Sequence, residues 1–190
     1  MTSYDAIVLA GGKASRLGGV DKPSIDIAGK SLLERVLDAC AAARVTVAVG
    51  TRRATNRPVT WVLEDPPYGG PLAGIGAGLA ALPSDASRVV VLAADMPYMT
   101  AEAIAGLLAR LSGHDAAVFV DGDGVPQPLA AAYRVPALKA ALRARGELRD
   151  GSVMRMLGDL RAVTVPDDGA TRDCDTVDQI ETARRTLRRT

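Results

Sequence analysis

Aromatic side chains are nearly missing from this chain: one Trp, four Tyr and one Phe in 190 residues. The apolar fraction is still 48%, carried by Ala, Val and Leu. That skew resembles the usage of a GC-rich genome and says little about function. Excess charge is missing too. Twenty-three basic and 22 acidic residues leave +1, so no global field draws in nucleic acid or an anionic membrane, and any anion binding must come from local clusters. There are two cysteines, Cys40 and Cys174, far apart and without metal-ligand spacing. Cys40 falls in an apolar helical run and reads as a buried free thiol. The single histidine, His114, precedes a strand and reads as a surface residue. MTSYD at the start has no basic region followed by an apolar core, and no stretch approaches eighteen apolar residues without a Gly or a charge. Neither a signal peptide nor a membrane span is therefore expected. The expectation is a soluble, cytoplasmic protein that contacts neither nucleic acid nor membrane.

What is present is a series of strand-length apolar runs: AIVLA (6–10), VTVAV (45–49), TWVL (60–63), RVVVLAA (88–94), DAAVFV (115–120) and RAVTV (161–165). Helical spacing lies between several of them. Leu32, Leu33, Val36, Leu37 and Cys40 share one face, with Ser31 as N-cap and Glu34 completing a capping box. Thr100 opens a second helix through Ile104, Leu107 and Leu111, and Thr176 a last one through Ile180, Ala183 and Leu187. Continuous apolar strands alternating with helices belong to a mostly parallel sheet covered on both faces. PLAAAYR (128–134), after the turn-like DGDGVPQ, predicts a hairpin and one antiparallel strand. No repeat and no linker interrupts the pattern. The reading is an α/β fold, a doubly wound three-layer domain spanning 1–190.

In such sheets ligands bind beyond the carboxyl ends of the strands. Two stretches occupy that place, LAGGKASRLGGVDK (9–22) and DMP (95–97), and they are expected to line one crevice. The first is not a dinucleotide fingerprint, because Gly11, Gly12, Gly18 and Gly19 miss the G-x-G-x-x-G spacing. Nor is there a P-loop: Gly29-Lys30-Ser31 supplies its second half, but position 24 is Ser24. A loop that wraps a nucleoside triphosphate remains, against the plainer reading of a solvated surface loop. Glycines let backbone amides approach phosphate oxygens, and Arg16 and Lys22 add charge where pyrophosphate would leave. Asp21 reads as a residue that holds the loop. Asp95 ends a buried strand, a costly place for a carboxylate unless it is paired or binds a cation, and it is placed to hold Mg²⁺ together with substrate phosphates. LEDPPYGGPLAGIGAGL (63–79) adds Asp65 and then a helix whose Gly74 and Gly78 leave an open face, either for a flat ring or for tight packing on the sheet.

LAGGKASRLGGVDK, EDPPYGGPLAG and AADMPY, in that order, resemble the motifs of the molybdenum cofactor guanylyltransferases, within the nucleotidyltransferases of Rossmann-like fold. The similarity runs from Ala6 to about Ala183. LAGG together with GPLAG favours the guanylyl branch over the cytidylyl one, which usually carries LAAG. The resemblance implies transfer of GMP from GTP to the phosphate of molybdopterin, with release of pyrophosphate and Mg²⁺ as cofactor. It implies GTP contacts at Leu9, Ala10, Gly11, Gly12, Lys22, Asp65, Gly74 and Asp95, catalytic charge from Arg16 and Lys22, and metal ligation by Asp95, with Asp175 as a second candidate. Contact with molybdoenzymes or cofactor-delivery proteins is a further expectation. The chain departs from the family at CDTVDQIE (174–181), where N-x-N-T-P-E-[DE]-[LI] is usual: Asp175 replaces an Asn and Val177 the Pro. GTRRATN (50–56) lacks an Asn often found after the second strand, and QPLAAAYR is similar to a strand lining the acceptor side. Cytidylyl transfer to molybdopterin, nucleotidyl transfer to a sugar phosphate, and a non-catalytic nucleotide-binding adaptor remain the alternatives.

Overall fold

The computed structural model describes residues 3–11 and 20–188. Seven strands form the main sheet in the order β5-β4-β1-β6-β8-β7-β9: β1 (Asp5–Leu9), β4 (Thr46–Val49), β5 (Thr60–Val62), β6 (Arg88–Ala93), β7 (Ala116–Val120), β8 (Pro126–Arg134) and β9 (Ala162–Pro166). The pairs β1–β4, β1–β6, β4–β5 and β7–β9 are parallel, whereas β8 runs antiparallel to both β6 and β7. The expected α/β class and the single antiparallel strand are both present. β2 (Asp26–Ile27) and β3 (Lys30–Ser31) form a separate small hairpin.

The apolar strands read as continuous because both faces are covered. Ala6 and Val8 of β1, with Val90 and Leu92 of β6, join one core with α1 (Leu32–Ala39) and α3 (Ala101–Arg110). Ile7, with Val89 and Val91, joins the other, against α2 (Gly70–Ala80), α4 (Val135–Arg145) and α5 (Val153–Gly158). Period-two alternation sends successive side chains to opposite layers, and the one charge buried in β1, Asp5 at its start, is held by Arg44, whose Nη2 donates to Asp5 Oδ2 at 3.0 Å. Ser31 caps α1 with the expected capping box to Glu34, and Thr100 caps α3. α4 and α5 have no counterpart in the sequence reading. α4 is rich in alanine, which blurs its apolar stripe, and α5 has only six residues.

The last helix, α6 (Val177–Leu187), packs on the small hairpin rather than on the main sheet: Ile180, Ala183 and Cys174 join Ile27 and Leu32 in a third cluster. Arg184 Nε donates to the Asp26 carbonyl at 3.0 Å across this contact. The docking returns the end of the chain to the segment that follows the glycine-rich loop.

At the carboxyl end of β4 the backbone turns at Gly50, with φ of 142°. A Cβ there would stand 2.8 Å from the Ala10 carbonyl carbon and oxygen and from the Gly11 nitrogen, all main-chain atoms. Gly50→Ala is therefore expected to lose about 2–4 kcal/mol of stability, from the left-handed conformation and from overpacking that a backbone cannot relieve. Gly29→Ala is the control. Its φ is also positive, at 86°, but nothing lies within 4 Å of its missing Cβ, so about 1–2 kcal/mol is expected. Denaturant midpoints at constant m-value would read the difference, and equal losses would contradict it.

Candidate active site

The crevice lies where the loops after β1 and β6 meet. Ala10 N–H donates to the Val49 carbonyl at 2.8 Å, and Ala94 N–H donates to the Leu9 carbonyl at 3.0 Å, so both loops start from fixed points. The glycine-rich loop ends in a short 3-10 turn at Lys22–Ser24, stiffened by Pro23 and closed by Ser24 N–H on the Asp21 carbonyl. From there Lys22 reaches across to Asp95 Oδ2 and to Asp175 Oδ1, each at 2.5 Å. The three side chains are 17%, 26% and 39% exposed. Burial alone would lower the Lys22 ammonium, but the bonds to Asp175 and Asp95 outweigh it and hold the group above its ordinary value. Both ends of the motif pair expected to share a crevice do so.

Asp175 is positioned by the start of α6. Thr176 is the N-cap, and the Gln179 side chain completes the capping box. Gln179 Oε1 accepts from the Asp175 and Thr176 amides at 2.8 Å, while its Nε2 donates to Asp173 Oδ1 at 3.3 Å. Asp173 is a residue the sequence reading passed over. Its carboxyl is raised above the usual range by burial, then by the charges of Asp175 and Asp95. Two signals could have found it. Residues i and i+2 of an extended segment share a side. With Thr176 aligned to the Thr of N-x-N-T-P, the first Asn falls on Asp173 and the [DE] position on Gln179. At these two places this chain carries an acid and an amide, and they are joined by the hydrogen bond from Gln179 to Asp173.

Leu9 ends β1, Ala10 is buried, and Gly11 is exposed at the mouth of the loop. Gly12 and Arg16 lie outside the described residues. Asp65 is exposed in the segment between β5 and α2, two strands from β1 on the side away from Asp95. The side where a Cβ of Gly74 would stand meets Leu9 Cδ2 at 3.1 Å and Val49 Cγ1 at 3.7 Å, and the same side of Gly78 meets Ile7 Cγ2 at 2.7 Å. Of the two uses expected of this glycine face of α2, close helix–sheet packing is the one these contacts display. Pro71 sits in the first turn of this helix, one residue after its start at Gly70.

The fold and the relatives of this chain make it a nucleotidyltransferase of Rossmann-like type. The chain belongs to the family of the MobA-like NTP transferase domain, whose model matches residues 6–163. It is 31% identical over 203 residues to a Natronomonas pharaonis protein named "Probable molybdenum cofactor guanylyltransferase", covering all of this chain and 99% of that one. A Shewanella halifaxensis molybdenum cofactor guanylyltransferase is 28% identical over 145 residues, 74% of this chain and 72% of its own. Among solved structures, molybdopterin-guanine dinucleotide biosynthesis protein A from Archaeoglobus fulgidus superposes with a TM-score of 0.78 at 24% identity, over 98% of this chain and 100% of that one. The 2-C-methyl-D-erythritol 4-phosphate cytidylyltransferase from Thermus thermophilus superposes with a TM-score of 0.73 at 17% identity, over the whole of both chains. These superpositions establish the fold and leave the base open. No helix among the described residues is long and apolar enough to cross a membrane.

Nucleotidyltransferases of this kind generally use a divalent metal. The donor set here fits one: Asp95 and Asp175 are hard oxygen donors already converging on a single positive group. Among the described residues no cluster of three or more His, Cys, Asp or Glu forms a cage. Two carboxylates completed by substrate phosphates are an arrangement that suits a hard divalent cation.

Proposed function

We propose that this protein transfers GMP from GTP to the terminal phosphate of molybdopterin and releases pyrophosphate. Residues 1–190 act as one nucleotidyltransferase domain, with Mg²⁺ held by Asp95 and Asp175. The observation that carries the reading is Lys22, set between those two acids at the end of the loop. The full-length relationship to a protein bearing the guanylyltransferase name supports the choice of substrate.

In the step itself a phosphate oxygen of the acceptor forms a bond to the α-phosphorus of GTP. The bond from that phosphorus to the bridging oxygen breaks, and its electron pair leaves with pyrophosphate. The acceptor phosphate is already anionic at neutral pH, so no general base is needed. Catalysis is then positioning and neutralisation. Loop amides at Gly11 and Gly12, with Arg16 and Lys22, take the triphosphate, and Lys22 meets the charge that develops on the leaving group. Leu9 and Ala10 present backbone to the base, and Asp65 contacts the nucleoside. Asp95 and Asp175 would hold Mg²⁺, which would supply further neutralisation of phosphate charge. Work in the cytoplasm, where GTP is made, and hand-over to molybdoenzymes or delivery proteins complete the reading.

Cytidylyl transfer is the competing reading, because the same fold serves a cytidylyltransferase. The LAGG and GPLAG motifs favour guanine. With molybdopterin as acceptor, pyrophosphate release is expected to be ten- to a hundredfold faster with GTP than with CTP, the range set by about 1–3 kcal/mol for an unpaired polar edge. A preference for CTP would reject guanylyl transfer.

A further inference from the structure

The segment after β4 grips one peptide of the glycine-rich loop from two sides. Gly50 lies so close that a Cβ would stand 2.8 Å from Ala10 C, Ala10 O and Gly11 N. Three residues on, Arg53 Nη1 donates to the Ala10 carbonyl at 3.1 Å and to the Thr51 carbonyl at 2.7 Å. The rest of the same guanidinium forks onto Asp21: Nε donates to Oδ2 at 2.7 Å and Nη2 donates to Oδ1. Arg53 is 16% exposed and Asp21 49%. Arg53 lowers the Asp21 carboxyl below its usual range more than any other neighbour does.

We infer that Arg53 is a positioning residue for nucleotidyl transfer, joining the first peptide of the glycine-rich loop to its last turn. The inference rests on the loop being the triphosphate site. A peptide is planar, so holding the Ala10 oxygen also fixes the direction of the Gly11 N–H. Asp21 is covalently next to Lys22, so holding its carboxylate fixes the start of the turn that aims Lys22 at Asp95 and Asp175. One rigid side chain thereby sets the spacing between two groups that must meet the same triphosphate. Only a planar fork can hold a carboxylate with two donors while a third serves the carbonyls, so lysine is no substitute.

The test compares kcat and KM for GTP in the wild type, Arg53→Ala, Arg53→Lys, Asp21→Ala and the Arg53→Ala/Asp21→Ala double variant. Arg53→Ala and Asp21→Ala are each expected to lower kcat about ten- to a hundredfold, the scale of a loop misplaced by roughly 1 Å, with KM changed less than about threefold. Arg53→Lys stays near Arg53→Ala, and the double variant is no slower than the slower single one, as for a coupled pair. The inference is overturned by a kcat within about twofold of wild type, by a change confined to KM, by rescue with lysine, or by losses that multiply. Should Arg53→Ala not fold, Asp21→Asn carries the test, since it keeps the shape and removes the charge: unchanged kcat overturns the inference. A wild type that releases no pyrophosphate from GTP refutes the functional reading and not the clamp. The Gly11 amide resonance tests the clamp alone, and must move in Arg53→Ala without any substrate.

Discussion

Lys22→Ala is expected to fold as the wild type does and to turn over about two to three orders of magnitude more slowly. The size follows from the removal of one charge-assisted contact to a transition state in a partly dry site, about 2–4 kcal/mol. The fold should survive because Lys22 belongs to a turn held by Pro23 and by backbone bonds, not to either large core. Its ion pairs are partly exposed, at 17% for Lys22 against 26% and 39% for the acids, so screening limits their worth to about 1 kcal/mol of stability. The substitution leaves Asp95 and Asp175 without the cation between them, which should tighten binding of a divalent metal. Tighter metal binding with slow turnover would place Lys22 on the phosphates. If saturating metal restored turnover to within about threefold of wild type, Lys22 would only be arranging the two acids.

Much of this site was legible in the sequence because each half announces itself locally. A buried strand running into glycines and a lysine, and another followed by Asp95, are one-dimensional patterns that fall beyond the carboxyl ends of parallel strands, where ligands bind in such sheets. The fold was legible for the same reason: doubly covered strands leave uninterrupted apolar runs. What could not be read is what depends on the third dimension. Asp175 reaches Lys22 only because α6 docks on the small hairpin β2–β3, whose strands have two residues each and no pattern to recognise. Arg53 looks like any surface arginine in GTRRATN, and its value comes from the Ala10 carbonyl, 43 residues away in sequence. The glycine face of α2 was ambiguous for a related reason. A glycine face on a helix is the same string whether a base or Leu9 fills the space, and only the register of α2 on β1 decides.

The two acids around Lys22 should separate under substitution. Asp95→Ala removes an oxygen donor just beyond β6, and the metal concentration for half-maximal activity is expected to rise about a hundredfold or more, at least the upper end of what disturbing a metal site's supporting shell costs. Asp95→Asn keeps an oxygen for both Lys22 and a hard cation while losing the negative charge, so a smaller shift, about tenfold, is expected, with the GTP-to-CTP ratio unchanged. Asp175→Asn restores the residue usual at that place in N-x-N-T-P. Its backbone is held by Gln179 whether or not the side chain is charged, so activity within about threefold of wild type is expected at saturating metal. The asymmetry has a physical origin. Asp95 lies in the turn two residues after β6, a central strand in which Val89 to Leu92 are fully buried, whereas Asp175 sits on a more exposed segment before a helix cap. Metal-activation curves for the three variants decide the matter. Equal shifts for Asp95→Asn and Asp175→Asn would mean that the acids share the cation evenly, and an Asp95→Ala curve lying on that of the wild type would remove Asp95 from the metal site and leave it as the partner of Lys22 alone.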